Sequence, residues 1–252
     1  MDLLRPQRVV ILAALAAIAA LAWVYLFLAA ADMTAAMAGM DRAMIMPPRG
    51  ATELVLLFAM WWVMMVGMML PSVAPVILTF ATVNRNRRAR GEPFVPSALF
   101  TAGYLLAWGG FSLAATLAQE ALERTALLSP MDMTTNSRLL GGLLFLAAGL
   151  YQFTPVKLAC LRFCRSPLDF VVNHWRDGPG GALRMGLTHG LYCLGCCWFL
   201  MLLLFVGGVM NLLWVAILAI AVLIEKLSAG PWIGRAGGVL LAAYGIWLLA
   251  TY

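Results

Sequence analysis

Apolar and polar residues are not interleaved along this chain; they fall into blocks. Seven mostly apolar runs, over 9–31, 54–82, 97–119, 138–156, 185–208, 211–227 and 235–251, are separated by short polar segments. Each approaches the ~20 residues an α-helix needs to cross the hydrocarbon core of a bilayer. None keeps the strict alternation of a barrel strand. Lipid offers no partner to an unpaired backbone group, so helices are the natural spanning element. The pattern predicts an all-α, polytopic membrane protein with about seven transmembrane helices forming one membrane domain over 1–252.

Composition agrees. Of the 252 residues 63% are apolar and 11% charged, less than half the charge of an ordinary globular domain. The net charge of +6 raises nucleic acid as a partner, but the distribution argues for the bilayer instead. With the N-terminus inside, the segments 1–8, 83–96, 157–184 and 225–236 hold 13 of the 17 Lys and Arg residues. That bias predicts a cytoplasmic N-terminus and an external C-terminus. The first run is longer than a signal-peptide core, so a retained helix is expected. The five cysteines all fall in the membrane or on the reducing side, which argues against a disulfide framework.

An internal repeat is expected from Gly141-Gly142…Gly149 in the fourth run and Gly237-Gly238…Gly245 in the seventh, which keep their glycine spacing. The second and fifth runs each carry a helix-disturbing centre, Pro71-Ser72-Val73-Ala74-Pro75 and Cys193-Leu194-Gly195-Cys196-Cys197. One N-terminal helix plus a 3+3 inverted repeat with interrupted helices at the midplane follows, a plan found in transporters. Close packing of Gly-rich helices would produce the same glycines without a repeat.

Soft donors are concentrated. Ten of the sixteen methionines lie between 33 and 69. Met33, Met37, Met40, Met44 and Met46 follow the first run; Met60, Met64, Met65, Met68 and Met69 lie in the second. Spacings of three and four put the latter on neighbouring helical faces. In the fifth run, at about 100° per residue, His189, Cys193 and Cys196 fall within roughly 60° of one another, with Cys197 beside them. Cys160 and Cys164 form an i,i+4 pair. Thioethers and thiolates select Cu(I); imidazole and thiolate also suit Zn²⁺. The expected metal ligands are therefore His189, Cys193, Cys196, Cys197, Met64, Met65, Met68, Met69, Cys160 and Cys164, with Cu(I) ahead of zinc. The competing reading makes the methionines and cysteines apolar filler. Glu225 and Lys226 end the sixth run, where they pair or snorkel to the interface. Asn173-His174-Trp175 has no evident partner. No catalytic triad, phosphate loop or dinucleotide fingerprint occurs, so no enzyme activity is expected.

Tyr151-Gln152-Phe153-Thr154-Pro155-Val156-Lys157 with Cys160 and Cys164, Gly190-Leu191-Tyr192-Cys193-Leu194-Gly195-Cys196-Cys197-Trp198, Gly208-Val209-Met210-Asn211 and Glu225-Lys226 resemble a bacterial family of predicted metal-binding integral membrane proteins. Met68-Met69-Leu70-Pro71 with Pro75 fits that family's second helix, and the likeness covers about 54–228. It implies a metal role in the inner membrane. A more distant likeness is to thiol–disulfide electron carriers of cytochrome c maturation, from which this chain departs by lacking a cysteine in the second run.

Together these features predict a copper-handling membrane protein, a transporter or delivery factor. The external methionines would capture the ion, the second and fifth runs would hold it at the midplane, and Cys160 and Cys164 would receive it. Its partners would be the bilayer and a periplasmic metal carrier or membrane protein. The alternatives are an intramembrane thiol redox carrier and a structural subunit or assembly factor of a larger complex.

Overall fold

The computed structural model describes residues 4–38, 50–129, 133–135, 137–228 and 230–251, with side chains from 6 and none over 34–38. The expected capture methionines Met37, Met40, Met44 and Met46 lie outside the described side chains. Ten helices follow in order: α1 Leu4–Ala38, α2 Ala51–Arg88, α3 Ser97–Arg124, α4 Arg138–Tyr151, α5 Pro155–Arg165, α6 Pro167–Asn173, α7 Gly178–Leu202, α8 Leu204–Gly207, α9 Leu212–Leu227 and α10 Trp232–Ala250. No strand occurs among the described residues, only one isolated bridge between Leu128 and Thr135. The chain is all-α, as its hydropathy pattern predicts.

Among the described residues five helical segments are long and apolar enough to cross a membrane, Pro6–Met33, Ala51–Arg88, Ser97–Arg124, Gly178–Gly207 and Trp232–Ala250, and α4 with α5 makes a sixth if that bent pair is one span. Their outward faces are apolar: Leu21 of α1 is 68% exposed and Leu240 of α10 71%, a surface that suits lipid and not water. The expected run 211–227 is present as the 16-residue α9. The expected run 138–156 is bent near its end: α4 and α5 meet at an angle of 65°. Thr154 and Pro155 cause the break. Pro155 has no N–H to continue α4, and Thr154 restarts the helix by accepting the Lys157 backbone N–H on its hydroxyl at 3.3 Å.

The two expected interruptions are corrected. α2 runs unbroken through Pro71 and Pro75, and α7 runs unbroken through Cys193–Cys197. Hydroxyls near the prolines donate to carbonyls of the same helix. Ser72 Oγ donates to the Met69 carbonyl at 2.8 Å, and Thr79 Oγ1 donates to that of Pro75 at 2.8 Å.

Glycines set the two closest helix pairings. A Cβ on Gly103 of α3 would overlap the Leu183 carbonyl of α7, and one on Gly186 of α7 would overlap the Phe100 carbonyl of α3. α4 and α10 pack in the same way: a Cβ on Gly149 would meet the Gly238 carbonyl at 2.7 Å, and one on Gly245 the Leu146 nitrogen at 2.6 Å. Gly142 thus faces Gly245 and Gly149 faces Gly238, while Gly141 lies against Val206 and Thr135 and a Cβ on Gly237 would meet nothing within 4 Å. Close backbone approach accounts for the glycines that face each other.

Candidate metal centre

α3 and α7, drawn together by glycine, put Tyr104 beside Cys193. The Tyr104 hydroxyl is 3.0 Å from Cys193 Sγ and 3.3 Å from the Met69 carbonyl. α2 supplies Met69 and Ser72 to the same point. α9 supplies Lys226, whose Nζ donates to Cys193 Sγ at 2.9 Å and Ser72 Oγ at 2.9 Å, and lies 4.0 Å from Met69 Sδ. Tyr104 and Met69 are fully buried, and Cys193 and Lys226 nearly so. An ammonium has three donors and no acceptor, and removing it from water is costly unless each is met. Here one cation is ringed by two sulfurs and one hydroxyl from two helices, α2 and α7.

The other thiols lie close by. Cys196 and Cys197 donate to the Cys193 carbonyl at 3.0 and 3.1 Å, and Cys196 Sγ is 4.0 Å from Cys164 Sγ of α5. Cys160 Sγ occupies the space a Cβ on Gly195 would need, and Tyr151 donates its hydroxyl to the Gly195 carbonyl at 2.5 Å. Glycine at 195 therefore lets α5 and the end of α4 reach α7. All five cysteines are free.

His189, one turn before Cys193, is 2% exposed. Its ring packs against Phe170 at 4.7 Å, Tyr104 at 6.0 Å and Phe100 at 6.2 Å, and its Nδ1 has no hydrogen-bond partner. Met64, Met65 and Met68 are buried on α2, and Met69 supplies the thioether that meets Lys226. Among the described residues no three His, Cys, Asp or Glu side chains form a ready-made metal cluster. The donors that converge are thioether and thiol, the pair that selects Cu(I) over harder ions.

Glu225 and Lys226 neither pair with each other nor snorkel. Glu225 Oε2 accepts from Lys157 Nζ at 2.8 Å in an ion pair whose partners are 7% and 1% exposed. Arg165 closes the end of α9, donating to the Glu225 carbonyl at 2.8 and 3.1 Å and to the Gly230 carbonyl at 3.1 Å. A cation at a helix C-terminus also complements the helix dipole. With Glu225 held on one side, its neighbour about 100° around the helix is aimed at Cys193.

A family model described as "PpoB2: Copper chaperone" matches residues 58–248. The chain belongs to that family. A copper-handling role follows from the membership, and the match covers every helix that contributes to the thiol–thioether group. Comparison with curated proteins and with solved structures gave no match. Copper is thus the metal to set against the site. In this copper chaperone family member, Tyr104, Ser72 and Lys226 complete a group of which sequence reasoning had named only Met69 and Cys193. A lysine next to a glutamate at the end of an apolar run was the available signal.

Proposed function

We propose that this chain is an intramembrane Cu(I) carrier that holds the ion between Met69 of α2 and Cys193 of α7 and delivers it to a partner. One observation carries the reading: a cation already sits among these donors, because Lys226 Nζ lies 2.9 Å from Cys193 Sγ and 4.0 Å from Met69 Sδ. Cu(I), the cargo, takes the ammonium's place. Cys196, Cys197 and Cys164 stand within one helical turn of Cys193 or against that turn, and offer further sulfur as the ion moves. His189 offers an unpartnered ring nitrogen. The basic segments support a cytoplasmic N-terminus, with Met33 to Met46, which begin within the end of α1, as the outer capture segment. The test is a competition titration of the purified protein against a chromophoric Cu(I) chelator. Stoichiometric binding that weakens by about tenfold or more in Cys193→Ser and in Met69→Leu is expected. Unchanged affinity in both variants refutes the site.

A second reading, a thiol redox carrier, is favoured by the 4.0 Å separation of Cys164 and Cys196 on different helices. Exchange with a partner disulfide would transfer two electrons and two protons from this pair to the partner's sulfurs, closing a bond here and opening one there. Trapping of a mixed disulfide by Cys164→Ser tests it; copper retained with no trapped partner excludes it.

A further inference from the structure

A cavity of about 380 Å³ opens between the end of α6 and the start of α7, and His174, Arg176, Arg184, Met185 and Thr188 are among its lining residues. His174 Nδ1 is 3.1 Å from the Phe170 carbonyl. A carbonyl only accepts, so in the neutral ring Nδ1 carries the proton and Nε2 keeps its lone pair. This is the arrangement by which a backbone carbonyl fixes the tautomer of a metal-binding histidine. The ring is also held in place, stacked on Phe170 at 4.8 Å and edge-on to Phe163 at 5.3 Å. Met185 is 1% exposed, and its sulfur accepts the Arg176 backbone N–H at 3.3 Å.

From this cavity soft donors continue inward at helical spacing. Met185, His189 and Cys193 are i, i+4 and i+8 on α7, one above the other on a single face. Phe170 lies between the two histidines, with its ring centroid 4.8 Å from His174 and 4.7 Å from His189. His189 keeps a buried nitrogen without a partner partway along. Arg176 and Arg184 at the mouth would repel a bare cation and attract an anionic carrier.

Resting on the Cu(I)-carrier reading, we propose that this cavity is the exchange port of the buried site. His174 Nε2 and Met185 Sδ bind Cu(I) transiently as it passes between an anionic carrier and Cys193, with His189 as the relay. The copper remains Cu(I) throughout; only its ligands change.

The experiment loads full-length protein with one equivalent of Cu(I) and follows its transfer to an anionic bathocuproine sulfonate chelator by stopped-flow absorbance. His174→Phe and Met185→Leu keep shape and remove donors. In the double variant equilibrium affinity should stay within about twofold, while transfer slows by roughly tenfold or more. Thr188→Phe, which fills the cavity and keeps both donors, should slow transfer as well. Arg176→Gln with Arg184→Gln should lower the rate and its dependence on salt. Unchanged transfer in the double variant and in Thr188→Phe, with copper still bound, overturns the port and leaves the carrier reading standing. Affinity lost together with rate overturns it too, since His174 and Met185 would then be resting ligands. Failure of the unaltered protein to bind Cu(I) removes the carrier reading itself.

Discussion

Lys226 places its ammonium 2.9 Å from the sulfur of Cys193, inside a group closed off by Tyr104, Ser72 and Met69. This contact joins α9 to α7 and keeps a charged side chain satisfied in a buried setting, and the proposed Cu(I) site uses the same donors.

Lys226 both occupies the donors and repels the incoming ion. Two unit charges about 4 Å apart interact by roughly 4 kcal/mol at an effective dielectric near 20. Binding in the unaltered protein must also break the N–H···S contact, about 1.5–3 kcal/mol, a cost that the variant does not carry. Lys226→Met should therefore bind Cu(I) more tightly, by about tenfold, and release it more slowly. Chelator competition and dissociation kinetics measure both; weaker binding in this variant contradicts the place-holder role.

The Lys157–Glu225 pair is buried on both sides. Removing one partner leaves an uncompensated charge, so Lys157→Met should cost about 3–5 kcal/mol of stability. Adding Glu225→Gln should recover a large part of it. Thermal unfolding in detergent, followed by the monodisperse fraction on gel filtration, reports the difference; equal losses in single and double variants would contradict the pairing.

Gly186 touches the α3 backbone, while a Cβ on Gly110 of α3 meets nothing within 4 Å. Gly186→Ala should lower the midpoint of thermal unfolding and weaken Cu(I) binding, because it pushes Cys193 away from Tyr104. Gly110→Ala should be neutral or stabilising by up to about 1 kcal/mol, as alanine favours helix over glycine. Equal behaviour of the two variants would contradict the close α3–α7 packing.

The apolar runs were legible because the hydrophobic surface of a spanning helix is continuous. The break at Thr154–Pro155 was also written in the sequence, as a helix-start signal inside an apolar run, yet a hydropathy window averages across it. The prolines of α2 read as an interruption. That the helix carries on through both is visible only in three dimensions. The candidate site was half legible. Met69 and Cys193 carry soft donors and stand out by chemistry. Tyr104 looks like any aromatic, and Lys226 looks like an interfacial anchor until Glu225 is seen to be taken by Lys157. His174 had no partner in the sequence because its partners are a cavity and a carbonyl four residues back.

The central claim is that Cu(I) is held by sulfur from α2 and from α7 together. X-ray absorption at the copper edge of protein loaded with one equivalent of Cu(I) tests it most directly. A sulfur-dominated first shell is predicted, losing one sulfur in Met69→Leu and one in Cys193→Ser. A shell of nitrogen and oxygen, or a sulfur shell that neither substitution alters, would contradict the account.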